Sequence, residues 1–172
     1  MSRPEPIAIQ LALAEAHAVA ERLLEQEGRV PLFALFHRGE RETPVLAVLR
    51  YPASDEQTAL AALRDDAPAI ALGHGAQAVT LGGGGVVARF GDGPEVEAIW
   101  QGLRAGTLDS LSDAPSARHA LLLEHHMRSS ITRAAFPLWS HGLGPQQLFS
   151  QTLPTAEAQP YGGIRFFVTS EG

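Results

Sequence analysis

Residues 115–139, PSARHALLLEHHMRSSITRAAFPLW, constrain what this chain can fold into more than any other stretch. The apolar run can be read as one helix or as two strands. Ser112, Asp113 or Ser116 would cap a helix near Pro115, and Ala120, Leu121, Leu122 and Leu123 favour one. Pro137 stops a single helix from reaching Trp139, because a ring in the helix interior removes a hydrogen bond and clashes with the turn before it. Ile131 and Thr132 prefer strands.

A hairpin turning at Met127-Arg128-Ser129-Ser130 sets His126 opposite Ile131, Glu124 opposite Arg133, Leu123 opposite Ala134, Leu121 opposite Phe136 and His119 opposite Leu138. Side chains alternate along a strand, so one face collects Leu121, Leu123, Ala134, Phe136 and Leu138. The other face carries Glu124, Arg133 and His126. Slipping one strand by a residue would destroy that segregation. The expectation is therefore a hairpin with a solvated polar face on which Glu124 pairs with Arg133.

The rest of the chain supplies partners for this hairpin. Ile7, Leu11, Ala14 and Ala18, widened by Leu13, Ala16, Ala20 and Leu24, form a helical stripe between Pro6 and a stop at Gly28. Residues 30–36 and 45–51 form a hairpin across a polar turn, with Pro44 where a strand tolerates proline. Ser54 and Gln57 make a capping box for a helix that ends near Asp65, Asp66 and Pro68. The Gly-rich segment 69–90 reads as strands AIAL, AQAVTL and VVARF, with Gly82, Gly83, Gly84 and Gly85 as a turn between the last two. A third helix opens at Pro94, with Val96, Ile99, Trp100 and Leu103 on one side and Gly106 after its end. Residues 140–160, with Pro145, Pro154 and Pro160, read as a long irregular loop that admits a short helix over 146–151. Residues 164–169 read as a last strand.

These elements give an α+β fold, a single domain over residues 1–172 with a mainly antiparallel sheet and about three helices packed on one face. The order of the front elements resembles that of the small sheet-and-helix ligand-binding folds of the profilin and roadblock type, without a shared motif.

Composition removes several functions. The absence of cysteine excludes disulfides, thiolate metal sites and cysteine nucleophiles. A net charge of −6 opposes non-specific binding to phosphate backbones, so no nucleic-acid partner is expected. No stretch approaches the roughly 20 apolar residues of a membrane helix. Gln10, Glu15 and His17 interrupt the apolar N-terminal segment, which reads as a mature helix of a cytoplasmic protein rather than a signal peptide. All 13 basic residues are arginine and asparagine is absent, the coding bias of a GC-rich bacterial genome.

Candidate chemistry is sparse. Gly82, Gly83, Gly84 and Gly85 lack the lysine of a phosphate loop, and strand-like VVARF follows them, so a plain turn outweighs an anion cradle. His74, between Gly73 and Gly75, is the other candidate ligand contact, since glycines let backbone approach a ligand closely. Among the histidines, His119 and His125 share a strand face about 20 Å apart. Only Glu124 and His126 stand close enough to act together, and a metal would need a third ligand such as His141, His37 or His74. Ser129 and Ser130 beside the histidines lack a nucleophile elbow. No cofactor or metal is expected. The leading reading is a non-catalytic binding or protein-interaction domain that self-associates as a homodimer, or binds a protein partner, through a sheet edge or an apolar helix face. The alternative is a small hydrolase or lyase, possibly metal-dependent, with Glu124, His126 and His141 as catalytic candidates.

Overall fold

The computed structural model describes residues 6–39, 42–49, 55–88, 117–139 and 142–167. Its centre is an antiparallel sheet that includes the expected hairpin. β4 (Ala117–His126) and β5 (Ser130–Trp139) pair with Glu124 opposite Arg133, Leu121 opposite Phe136 and His126 opposite Ile131. The Met127 N–H donates to the Ser130 carbonyl at 2.8 Å and closes the corner.

β1 (Phe33–His37) and β2 (Val45–Val48) form the second expected hairpin, with Phe33 opposite Val48 and Phe36 opposite Val45. β3 (Ala78–Ala88) lies between the two hairpins and pairs with both β1 and β4. The main path of the sheet is β2-β1-β3-β4-β5, and β5 is then lined by β6 (Gly142–Leu143) and β7 (Phe149–Pro154). All seven strands pair antiparallel.

Several expectations are corrected here. The four glycines are not a turn but the middle of β3, paired with Leu123, Leu122, Leu121 and Ala120 of β4. At Gly82 and Gly85, neighbours occupy the space a side chain would take. A Cβ on Gly82 would stand 2.6 Å from Phe33 Cζ and 2.7 Å from Leu123 Cδ2, and one on Gly85 would stand 2.6 Å from Leu122 Cδ1.

Two α-helices, rather than about three, are present among the described residues. The helix expected from Pro94 to Gly106 lies outside them. α1 is Pro6–Glu27 and α2 is Glu56–Gly73. α2 runs through Pro68 and takes in residues 69–72, which the sequence alone suggests as a strand. Pro68 forfeits one intrahelical bond, but continuing the helix buries Ala67 and Ala71 in the core. Asp55 stands at the N-cap position with no side-chain cap bond, and Ser54 of the expected capping box lies outside the described residues. In place of the irregular loop over 140–160, β6 and β7 line β5, and β7 replaces the short helix. Residues 164–167 are not a strand; Ile164 and Phe166 plug into the core instead.

Both faces of the sheet are covered, not one. α1 packs Leu13, Ala16, Ala20 and Leu23 on Phe33, Leu35, Leu121, Leu123, Ala134 and Phe136. α2 and the segment 161–167 cover the opposite face through Leu60, Ala67, Ala71, Ile164 and Phe166, against Ala34, Phe36, Val79 and Leu81. Of the stripe expected to face the core, Leu11, Ala14 and Ala18 are exposed. α1 is apolar on most sides, and the side bearing Ala16 and Ala20 lets the helix approach the sheet more closely.

Candidate functional site

Alternation along β4 sends Glu124 and His126 to the α2 face and His125 to the α1 face. Glu124 is 8% exposed and His126 only 2% exposed, so the polar face of the hairpin is buried rather than solvated. The Glu124 carboxylate accepts from His126 Nε2 at 3.2 Å and from Arg133 Nε at 3.1 Å. It also accepts the Tyr161 backbone N–H on both oxygens, at 3.0 and 2.9 Å. Its lone pairs therefore hold down the segment that carries Ile164 and Phe166. The His126 ring meets Phe166 edge-on at 5.2 Å. Thr155 and Ala158 accept from the Arg165 guanidinium through their carbonyls, which shapes the same segment. A carboxylate held by three donors under a packed segment is an anchor, with its acceptor capacity spent.

On the α1 face, neighbouring strands set a row of polar side chains across the sheet. His37 of β1 and His125 of β4 both bond the hydroxyl of Thr80 on β3, His37 through Nε2 and His125 through Nδ1, each at 2.8 Å. Thr132, opposite His125, continues the row to Thr152 of β7 at 2.9 Å. Thr80 is fully buried. Burial, with smaller contributions from the neighbouring His37 and His126, pushes the His125 imidazole down to about 3. His37 is also lowered by burial, against an opposing pull from Glu15. Both rings are thus neutral at ordinary pH. Because the hydroxyl has one proton, one ring accepts from Thr80 and the other must donate to it.

The structure brings only part of the expected set together. Glu124 and His126 do meet. His37 lies on the other face, and His141 lies outside the described residues. His74 sits at the C-cap of α2 with its ring stacked on Phe36 at 4.7 Å. Gly82, Gly83, Gly84 and Gly85 lie in the β3–β4 ladder and do not converge on a loop. Among the described residues no group of three or more histidine, aspartate and glutamate side chains is placed to hold a metal ion, and no helix is long and apolar enough to cross a membrane. The Thr80 row was missed because it depends on β1–β3 pairing, which joins residues about 45 apart in sequence and leaves no local periodic signal. The only hint was a polar residue at an alternate position in each of FALFH, AVTL and LLEHH.

The accessible feature is the edge at β7. Its side chains are exposed over 149–152, none of its residues is charged, and it pairs only with β5 among the described residues. Leu148 and Phe149 at its start are 50% and 41% exposed, and Trp139, where β5 pairs with β6, is 50% exposed. Natural sheets usually guard such an edge with charge, a bulge or a covering element. No family model, curated protein or solved structure matches this chain.

Proposed function

We propose that this chain is a small cytoplasmic interaction domain that associates with itself and has no catalytic role of its own. The observation that carries this reading is the uncharged β7 edge, with Leu148 and Phe149 exposed at its start and Trp139 exposed further along the same side of β5. Large apolar side chains gathered at one place on a surface mark interaction sites more than chance exposure does. The buried polar clusters support the same reading, since Glu124 and Thr80 spend their bonding capacity inside the fold.

Size-exclusion chromatography with light scattering tests it: a dimer or larger species is expected. A strict monomer at high concentration counts against it. The alternative of a hydrolase or lyase keeps one observation in its favour, the 3.2 Å contact of His126 with Glu124. It requires the segment over Glu124 to leave, and a metal-dependent version predicts near-stoichiometric zinc or manganese, lost in His126→Ala, by elemental analysis.

A further inference from the structure

We infer that two copies of this chain join through β7 into one continuous sheet, related by a two-fold axis perpendicular to the sheet at Gln151. This rests on the reading of the protein as self-associating and names the surface and register of that association.

The phase of β7 follows from its inner partner. β5 and β7 pair with Ile131 opposite Leu153, Arg133 opposite Gln151 and Ala135 opposite Phe149. The Thr155 N–H donates to the Ser129 carbonyl at 3.0 Å, which continues that ladder by one more pair. Hydrogen-bonded pairs alternate in an antiparallel ladder, so Phe149, Gln151 and Leu153 turn their N–H and C=O groups towards β5. Ser150 and Thr152 turn theirs outward. The opposite side of β5 agrees, because the Ser130 carbonyl accepts from Met127, just past the end of β4, in the complementary phase.

A second β7 brought up by a perpendicular two-fold must run antiparallel and keep the two faces of the sheet aligned. With Gln151 opposite Gln151 of the second copy, Ser150 faces Thr152 and Phe149 faces Leu153. The outward N–H groups of Ser150 and Thr152 then meet the outward carbonyls of Thr152 and Ser150. Hydroxyl side chains face each other on the α1 side, while apolar side chains and the amide pair face each other on the α2 side. β7 is thus complementary to itself in both backbone and side-chain chemistry. The path β2-β1-β3-β4-β5-β7 of each copy becomes half of a sheet with no open β7 edge.

An exposed apolar stripe on α1, Leu11, Ala14 and Ala18, is the competing surface. It offers no backbone donors, whereas the β7 edge does.

The test uses charge at the two-fold axis. Gln151→Lys and Gln151→Glu change an exposed side chain whose backbone bonds stay within the fold. Arg133 stands opposite on β5, already paired with Glu124, and circular dichroism melts report how each copy tolerates the new charge and that both remain folded. Like charges directly opposite are destabilising, so each variant alone is expected to dissociate, with a dimer dissociation constant raised about tenfold or more. A one-to-one mixture is expected to recover the dimer as a Lys–Glu heterodimer. If the unmodified protein dimerises and both variants still do so unchanged, the β7 interface is wrong while self-association stands; loss of the dimer in Leu11→Glu would then locate it on α1. If both variants dissociate and the mixture does not recover, the register at Gln151 is wrong. If the unmodified protein is monomeric throughout, both this inference and the proposed function fall.

Discussion

Thr80 Oγ1 stands 2.8 Å from His125 Nδ1, in a place where Thr80 is fully buried and His125 nearly so. Burial there disfavours the charged ring. The unfolded chain takes up a proton on His125 near pH 6.5, the folded chain only at about 3. Between those values the unfolded state binds the extra proton, so acid favours unfolding. The contribution of this site to folding is undiminished above pH 6.5 and is eroded as pH falls towards 3. The erosion is about 1.4 kcal/mol for each pH unit from this one proton. His37 is lowered by burial and acts with the same sign. Melting temperatures from pH 7 to pH 4 should therefore fall less steeply for His125→Gln than for the unmodified protein. Parallel curves would show that His125 is not the group responsible.

Glu124 gathers donors from β4, β5 and the backbone at Tyr161. Glu124→Ala leaves the His126 and Tyr161 donors without this acceptor and should lower stability by about 2–3 kcal/mol, partner loss being tempered by the half-buried Arg133. Hydrogen exchange should rise first over residues 161–167. Glu124→Gln keeps a carbonyl acceptor and should be milder. Equal exchange in that segment before and after Glu124→Ala would refute the anchoring role.

The glycines of β3 differ sharply from one another. Gly82→Ala drives a methyl into Phe33 and Leu123 and should lose about 1–3 kcal/mol through overpacking. Gly83→Ala meets nothing closer than 3.5 Å. It should be neutral or slightly stabilising, since alanine restricts the unfolded chain. Chemical denaturation of the two variants side by side checks this, and equal losses would show that Gly82 is not tightly packed.

The sequence made the β4–β5 hairpin legible down to its register, because Glu124 and Arg133 and the leucines and phenylalanine segregate by local alternation. It also made the β1–β2 hairpin legible. It did not reveal that β3 crosses between the hairpins with glycines in its middle, because the reason lies in Phe33 and Leu123, which are remote in sequence. Pro68 and Asp65-Asp66 looked like a helix end; the burial of Ala67 and Ala71 overrides them. The face of α1 was misjudged because an alanine-rich helix has nearly equivalent sides. β7 was hidden by the prolines in and around it, Pro145, Pro154 and Pro160, and by a sequence, FSQTLP, with no strict alternation of apolar and polar residues. For the site, the Glu124–His126 encounter followed from their spacing, but its burial did not, since the covering residues Tyr161, Ile164 and Phe166 come some 35–42 positions later.

That late covering has a consequence for synthesis. While a nascent chain emerges from the ribosome, β1, β3 and the β4–β5 hairpin are complete before residues 161–167 are available, and among the described residues only α2 is then at hand to shield Phe36, Val79 and Leu81. Until the Tyr161 amide reaches Glu124, the unfinished molecule presents a greasy flank and a carboxylate lacking one of its native donors. Translation speed through the codons for residues 161–167 and the presence of chaperones should therefore affect the soluble yield.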